Sequence, residues 1–184
     1  VCPADPIEVR LAVAAAVRLG KPTYIRLGKK GEPVIHATPP NFEIGRGIVM
    51  QEGHDVTIFS VGNMLSIALK TAQQLSQKNI SSTVVSLHTV KPLDDLLLSA
   101  AFSKHKLIVV MEEHGLAGGA GSAVLEWGNV KRVDLRKLIC IGGPDRFLAA
   151  CGDQQQAHAL LGLTSEDISR QILQRMSTSD ATRS

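Results

Sequence analysis

Residues 109–126 read VVMEEHGLAGGAGSAVLE. An apolar run meets two glutamates and a histidine, passes through a glycine-rich turn, and resumes as small residues that favour a helix. The run belongs to KLIVVME (106–112), a strand with no polar alternation, and GSAVLEWG (121–128) opens the helix that follows. A strand apolar on both sides predicts burial on both faces, the habit of parallel sheets covered by helices. The same strand–helix alternation repeats on either side. DVTIFSVG (55–62) precedes NMLSIALKTAQQLSQK (63–78), whose apolar residues recur at 64/65, 68/69, 72 and 75. That spacing is a helical period. Ser81–Leu87 precedes PLDDLLLSAAFSK (92–104), with Pro92 read as the helix start, and KLICIGG (137–143) is a further strand. FEIGRGIVMQEG forms a strand broken by Gly45 and Gly47. Strands alternating with helices of about a dozen residues predict an α/β fold, three layers deep, with a mainly parallel sheet.

Towards the beginning, Asp5, Pro6 and Glu8 supply cap, first-turn proline and capping-box partner for a helix, and Gly20 supplies its stop. PTYIRL (22–27) reads as a short strand, and GKKGEPVIHATPPN (28–41) as a linker, with a boundary near residue 36. The linker is thus expected to cross between two structural units. Thr164, Ser165, Glu166 and Asp167 announce a closing helix over ISRQILQRM, and 177–184 is expected to be a disordered tail.

Composition narrows the function. Of 184 residues 44% are hydrophobic but only 3% aromatic, so aliphatic side chains build the core and base-stacking platforms are disfavoured. The +3 net charge is scattered, which argues against nucleic acid as a partner. Cys2, Cys140 and Cys151 form no CxxC pair, which predicts neither a disulfide framework nor a zinc site and fits a reducing, cytoplasmic setting. No apolar run reaches the roughly 18 residues of a membrane span, and no secretory leader opens the sequence. The first residue is Val1, not Met, so the sequence is expected to start within a longer protein or after processing.

The glycine-rich turn stands at the carboxyl end of a strand, where open α/β sheets bind ligands. A helix N-terminus there offers free N–H groups to an anion. GGAGS matches neither GxGxxG nor the Walker lysine motif, and Asp134, though close in spacing to a ribose-binding acid, lies before its strand. Two readings stay open for Gly118, Gly119, Gly121 and Ser122: a structural turn, or a loop touching an anion or a partner. His114 beside Glu112 and Glu113 suits proton transfer or a positioned hydrogen bond, but no Ser or Cys nucleophile is placed with it. No residue is assigned a catalytic role. His36, His54, His105 and His158 fall in loops or near element ends, and His88 follows a strand in LHTVKPLD.

Taken in order, PADPIEVRLAVAAA, PTYIRLGKKGEP, FEIGRGIVMQEGHDVTIFSVGNM, LHTVKPLD, MEEHGLAGGAGSAV, GGPDRFLAACGD and LLGLTSEDI resemble the transketolase-like thiamine diphosphate enzymes. The resemblance runs to about residue 176, and HTVKPLD with EEHGLAGGAGSAV is most similar to their small C-terminal-section subunits. It implies that 1–36 ends a pyrimidine-binding unit and that 37–176 is a transketolase C-terminal domain. It implies thiamine diphosphate and magnesium in the intact enzyme, held by parts absent here: the sequence has no Gly-Asp-Gly, and Gly152-Asp153-Gln154 lacks the third glycine. The chain is therefore expected to be inactive alone. It would serve an enzyme moving two-carbon ketol units between sugar phosphates in pentose phosphate metabolism, as part of a homodimer and alongside a cofactor-binding domain or subunit. Arg26 aligns with the arginine that family members use for a substrate phosphate, a role suited to its planar fork. Deoxyxylulose-phosphate synthases and the beta subunits of 2-oxo-acid dehydrogenases carry related segments and are the alternative enzymes. A non-catalytic assembly or anion-binding module is the alternative outside enzymes.

Overall fold

The computed structural model describes residues 1–29, 31–148 and 152–181, with backbone only at 179–181. Lys30 of the expected linker, Cys151 and the last three residues of the expected tail lie outside the described residues.

Helix α1 (Pro6–Leu19) starts where Asp5 accepts the N–H of Glu8 and stops at Gly20, whose φ of 63° suits a residue without Cβ. Glu8 does not close a capping box on Asp5. Its carboxylate turns to the N–H of Ala4 (2.7 Å) and to His36 Nε2 (2.9 Å), both buried. Asp5 also accepts the N–H groups of Ile35 and His36, so one end of α1 is bonded to the segment near residue 36. Burial opposes ionisation of Asp5, but these backbone donors outweigh it and hold its carboxyl below the usual range.

Five strands form one sheet in the order β1-β3-β2-β4-β5. They are β1 (Ile48–Gln51), β2 (Val56–Ser60), β3 (Ser82–Ser86), β4 (Leu107–Gly115) and β5 (Leu138–Gly143). All neighbours pair in parallel except β1, which runs antiparallel to β3 at the edge. Alternate residues of the central strands bury opposite faces, which is why they show no polar alternation. Ile58, Val84 and Val109 face α2 (Leu65–Ser76) and α6 (Ser165–Ala181). Phe59, Val85 and Val110 face α3 (Asp95–Lys104) and α4 (Ala120–Lys131). The result is the expected three-layer α/β arrangement with a mainly parallel sheet.

Several local expectations differ from what is observed, among them the strand over FEIGRGIVMQEG, which is confined to Ile48–Gln51. Residues 22–27 form no strand; among the described residues their backbone is bonded to Val1, whose O accepts from Arg26 N (2.9 Å) and whose N donates to Tyr24 O (2.8 Å). Helix α3 begins at Asp95, not at Pro92, because the Asp94 carboxylate caps it through the N–H of Leu97 while also accepting that of Gly47. Strand β4 continues past Glu112 to Gly115, which pairs with Gly143 after a register shift. Helix α6 runs to Ala181, so residues 177–181 are helical where a tail was expected. A short helix, α5 (Gln154–Leu161), was not anticipated at all.

Candidate functional site

Strands β3 and β4 lie on either side of β2, so the loops leaving the carboxyl ends of β2 and β4 diverge. That divergence is the switch point at which open sheets hold ligands. A cleft of about 570 Å³ opens there. Its floor is Val61, Gly62 and Asn63 after β2, with Glu112, Glu113 and His114 from β4. Arg26, Leu27, Gly28 and Lys29 form one wall; Gly152, Asp153, Gln154 and Ala157 form the other.

The glycine-rich turn is filled from within. Glu112, 1% exposed, places Oε2 against the N–H of Ala120 (2.7 Å) and Oε1 against that of Gly121 (3.0 Å), at the N-terminus of α4. The helix dipole and its unpaired donors are thus matched by the protein's own carboxylate. Gly118 donates to Ser122 Oγ (3.0 Å), Ser122 Oγ donates to Leu116 O (2.9 Å), and Gly119 donates to the same carbonyl (3.3 Å). Every backbone N–H from Gly118 to Gly121 therefore has an internal acceptor. The glycines make room for the carboxylate: a Cβ on Gly119 would stand 2.2 Å from Glu112 Oε2, and one on Gly121 would stand 2.8 Å from Cys140 Sγ. Gly118 supplies a φ of 75°. Of the two readings of this loop, the geometry supports the structural turn.

His114 is engaged on both nitrogens, with Nε2 3.0 Å from Glu112 Oε2 and Nδ1 2.7 Å from Gly115 O. It has no free nitrogen to offer a ligand and serves to brace the turn. Burial, with the Glu112 carboxylate adding to it, pushes the Cys140 thiol up. Burial likewise raises the Cys2 thiol at the cleft, so neither sulfur is an activated nucleophile.

The cleft also gathers Asn63, Gln154 and Lys29, which sequence reasoning passed over. Glu113 accepts from Asn63 Nδ2 (2.8 Å) and Gln154 Nε2 (2.6 Å), and lies 2.8 Å from His158 Nε2. The hydrogen bond from His158 leads these in drawing its carboxyl down to about 2. Arg26 is exposed on the opposite wall with Lys29, and neither side chain has an acceptor among the described residues. His105 and His88 are structural. His105 spans Thr57 Oγ1 (2.8 Å) and Gly53 O (3.0 Å). His88 is fully buried, stacks on Phe42 at 3.9 Å, and is pushed by burial down to about 4.

An open, mainly parallel α/β sheet between helical layers, with a mixed-charge cleft at its switch point, defines a domain of the three-layer α/β class. The match to the family described as "Transketolase, C-terminal domain" spans residues 45–168. The chain belongs to that family, as its motifs implied. A 1-deoxy-D-xylulose-5-phosphate synthase of Caldanaerobacter subterraneus subsp. tengcongensis is 38% identical over 175 residues, covering 94% of this chain and 28% of that protein. The synthase of Synechococcus sp. is 32% identical over 178 residues, covering 95% of this chain and 27% of that protein. A solved structure described as a split gene transketolase, an inactive beta4 tetramer, has a TM-score of 0.87 at 33% identity, covering 96% of this chain and 57% of that one. This chain thus spans little more than a quarter of the length of the curated relatives it matches.

The residues present do not fit thiamine diphosphate. Among the described residues no three His, Cys, Asp or Glu side chains are grouped to hold a metal. The helix N-terminus beside the cleft is occupied by Glu112.

Proposed function

We propose that this chain is the C-terminal part of a thiamine diphosphate-dependent, transketolase-like enzyme that acts on sugar phosphates. Cofactor chemistry falls to other parts of that enzyme, and this part supplies subunit contacts and a rim that binds the substrate phosphate. The observation that carries the reading is the pair of cations, Arg26 and Lys29, unengaged among the described residues, on one wall of the switch-point cleft. A guanidinium fork and an ammonium group are the usual protein ligands of a phosphate. Subunit contact is supported by α1, which leaves Val13 48% and Val17 77% exposed, with Tyr24 78% exposed close by in the chain. We assign the intact enzyme to the cytoplasm; no helix among the described residues is long and apolar enough to cross a membrane.

Two-carbon ketol transfer is the first reading of the reaction, supported by the HTVKPLD and EEHG motifs and by likeness to the split gene transketolase. Formation of 1-deoxy-D-xylulose 5-phosphate is the second, supported by the 38% identical relative. Mass spectrometry of the intact enzyme's products separates them. Both readings place a sugar phosphate in the cleft. In the intact enzyme, Arg26→Ala should raise KM for phosphorylated substrates by about 10- to 100-fold, the worth of one or two charged hydrogen bonds. Unphosphorylated substrates should be little affected. An equal effect on both would overturn the phosphate role.

A further inference from the structure

The two walls of the cleft are held differently from the rest of the fold. Helices α2, α3, α4 and α6 reach the sheet through buried apolar side chains. Helix α5 has no buried residue, and only Leu161 at its far end packs partly against the core. Its grip on the cleft is polar and converges on one group. Gln154 and His158, four residues apart and so on one helical face, both reach Glu113 Oε1, at 2.6 and 2.8 Å. The other oxygen of the same carboxylate takes Asn63 Nδ2 from the turn after β2 (2.8 Å).

We infer that Glu113 is a positioning residue: its single carboxylate sets α5 as the second wall of the cleft and ties that wall to the loop after β2. The side chain is matched to the task. Two ionised oxygens accept all three donors, and hydrogen bonds to a charged acceptor are the stronger kind. Glutamine would offer one acceptor oxygen and turn an amide N–H₂ towards the other donors. Aspartate would fall short by a methylene. The opposite wall also feels this group. Burial and then the Glu113 charge push the Glu32 carboxyl up, so the segment following Lys29 lies in the field of the same carboxylate. That placing α5 matters for substrate rests on the function proposed above; that Glu113 places α5 does not.

Hydrogen exchange on the intact enzyme tests the placement. Glu113→Ala should speed exchange of the α5 amides by about tenfold or more, and leave those of α2 and β2 unchanged. Removing both partners, Gln154→Ala with His158→Ala, should reproduce this, and adding Glu113→Ala to that pair should change little more. The partner variant also keeps the test open if Glu113→Ala fails to fold. Kinetically, these variants should raise KM for the sugar phosphate with kcat within about twofold, the split expected when uniform binding is lost. Unchanged α5 exchange, or additive effects in the combined variant, would overturn the positioning role. Faster α5 exchange with an unchanged KM would uphold that role and instead overturn the placing of substrate in this cleft.

Discussion

Replacing Gly119 with alanine sets two effects of opposite sign against each other. Its φ and ψ, −83° and −167°, are ordinary for alanine. On backbone grounds alone the change should stabilise the fold by about 0.4–1 kcal/mol through the unfolded chain. The methyl carbon, however, would stand 2.2 Å from Glu112 Oε2 and 2.5 Å from its Cδ. The carboxylate is buried and held by two backbone N–H groups, so it cannot step aside without breaking them. Hydrogen bonds to a charged group contribute about 1.5–3 kcal/mol each. Losing both costs about 3–6 kcal/mol before relaxation, so we expect a net loss of about 3 kcal/mol, or about 6–12 °C in Tm for a chain of this size. Urea unfolding followed through Trp127, the sole tryptophan and packed 5.5 Å from Phe102, reads it out. In a Glu112→Ala background the methyl has room, and the same change should cost under about 0.5 kcal/mol. A Gly119→Ala protein as stable as the parent would refute the claim that Glu112 is clamped in this turn.

Acid titration gives a second check. Because the Glu113 carboxyl is drawn down to about 2, its contribution is complete above the ordinary glutamate value of 4.5 and is lost as pH falls from there towards 2. The stability advantage of the parent over Glu113→Gln should therefore shrink across that window, and a constant difference would contradict the assignment. In the core, Ile172→Ala should cost about 2–5 kcal/mol in urea unfolding, since Ile172 is fully buried where α6 meets the sheet. Leu160→Ala, at a position 53% exposed on α5, should stay within about 0.5 kcal/mol. Similar losses at the two positions would argue against the observed docking of α6.

The fold was legible where hydrophobic pattern alone decides it. Strand 107–111, apolar on both faces, could only lie between layers, and Asp5, Pro6 and Gly20 marked α1 at both ends. It was less legible where a partner far along the chain decides. Asp94 rather than Pro92 starts α3 because that carboxylate also serves Gly47, a residue 47 positions away. Helix α5 carried a readable signal, since Asp153 and Gln156 form a capping box and Gly162 supplies the stop. At the site, the EEHG motif drew attention to the right strand end, but the roles of its residues depend on direction. Glu112 turns inward to the glycines while Glu113, one residue on, faces the other side of the strand and meets Asn63 and His158. Alternation along a strand predicts that they diverge, but not which distant side chains each will find. Lys29 gave no signal in the sequence beyond its nearness to Arg26.

The self-neutralised end of α4 gives the cleft a built-in sense. At the floor, the positive pole of the helix is quenched by a carboxylate belonging to the protein, so that end exerts little pull on a visiting anion. The basic side chains of the cleft sit instead on the loop bearing Arg26 and Lys29. On the function proposed above, a substrate anionic at one end only would be turned tail-outward, its neutral head towards the sheet, before any specific contact forms.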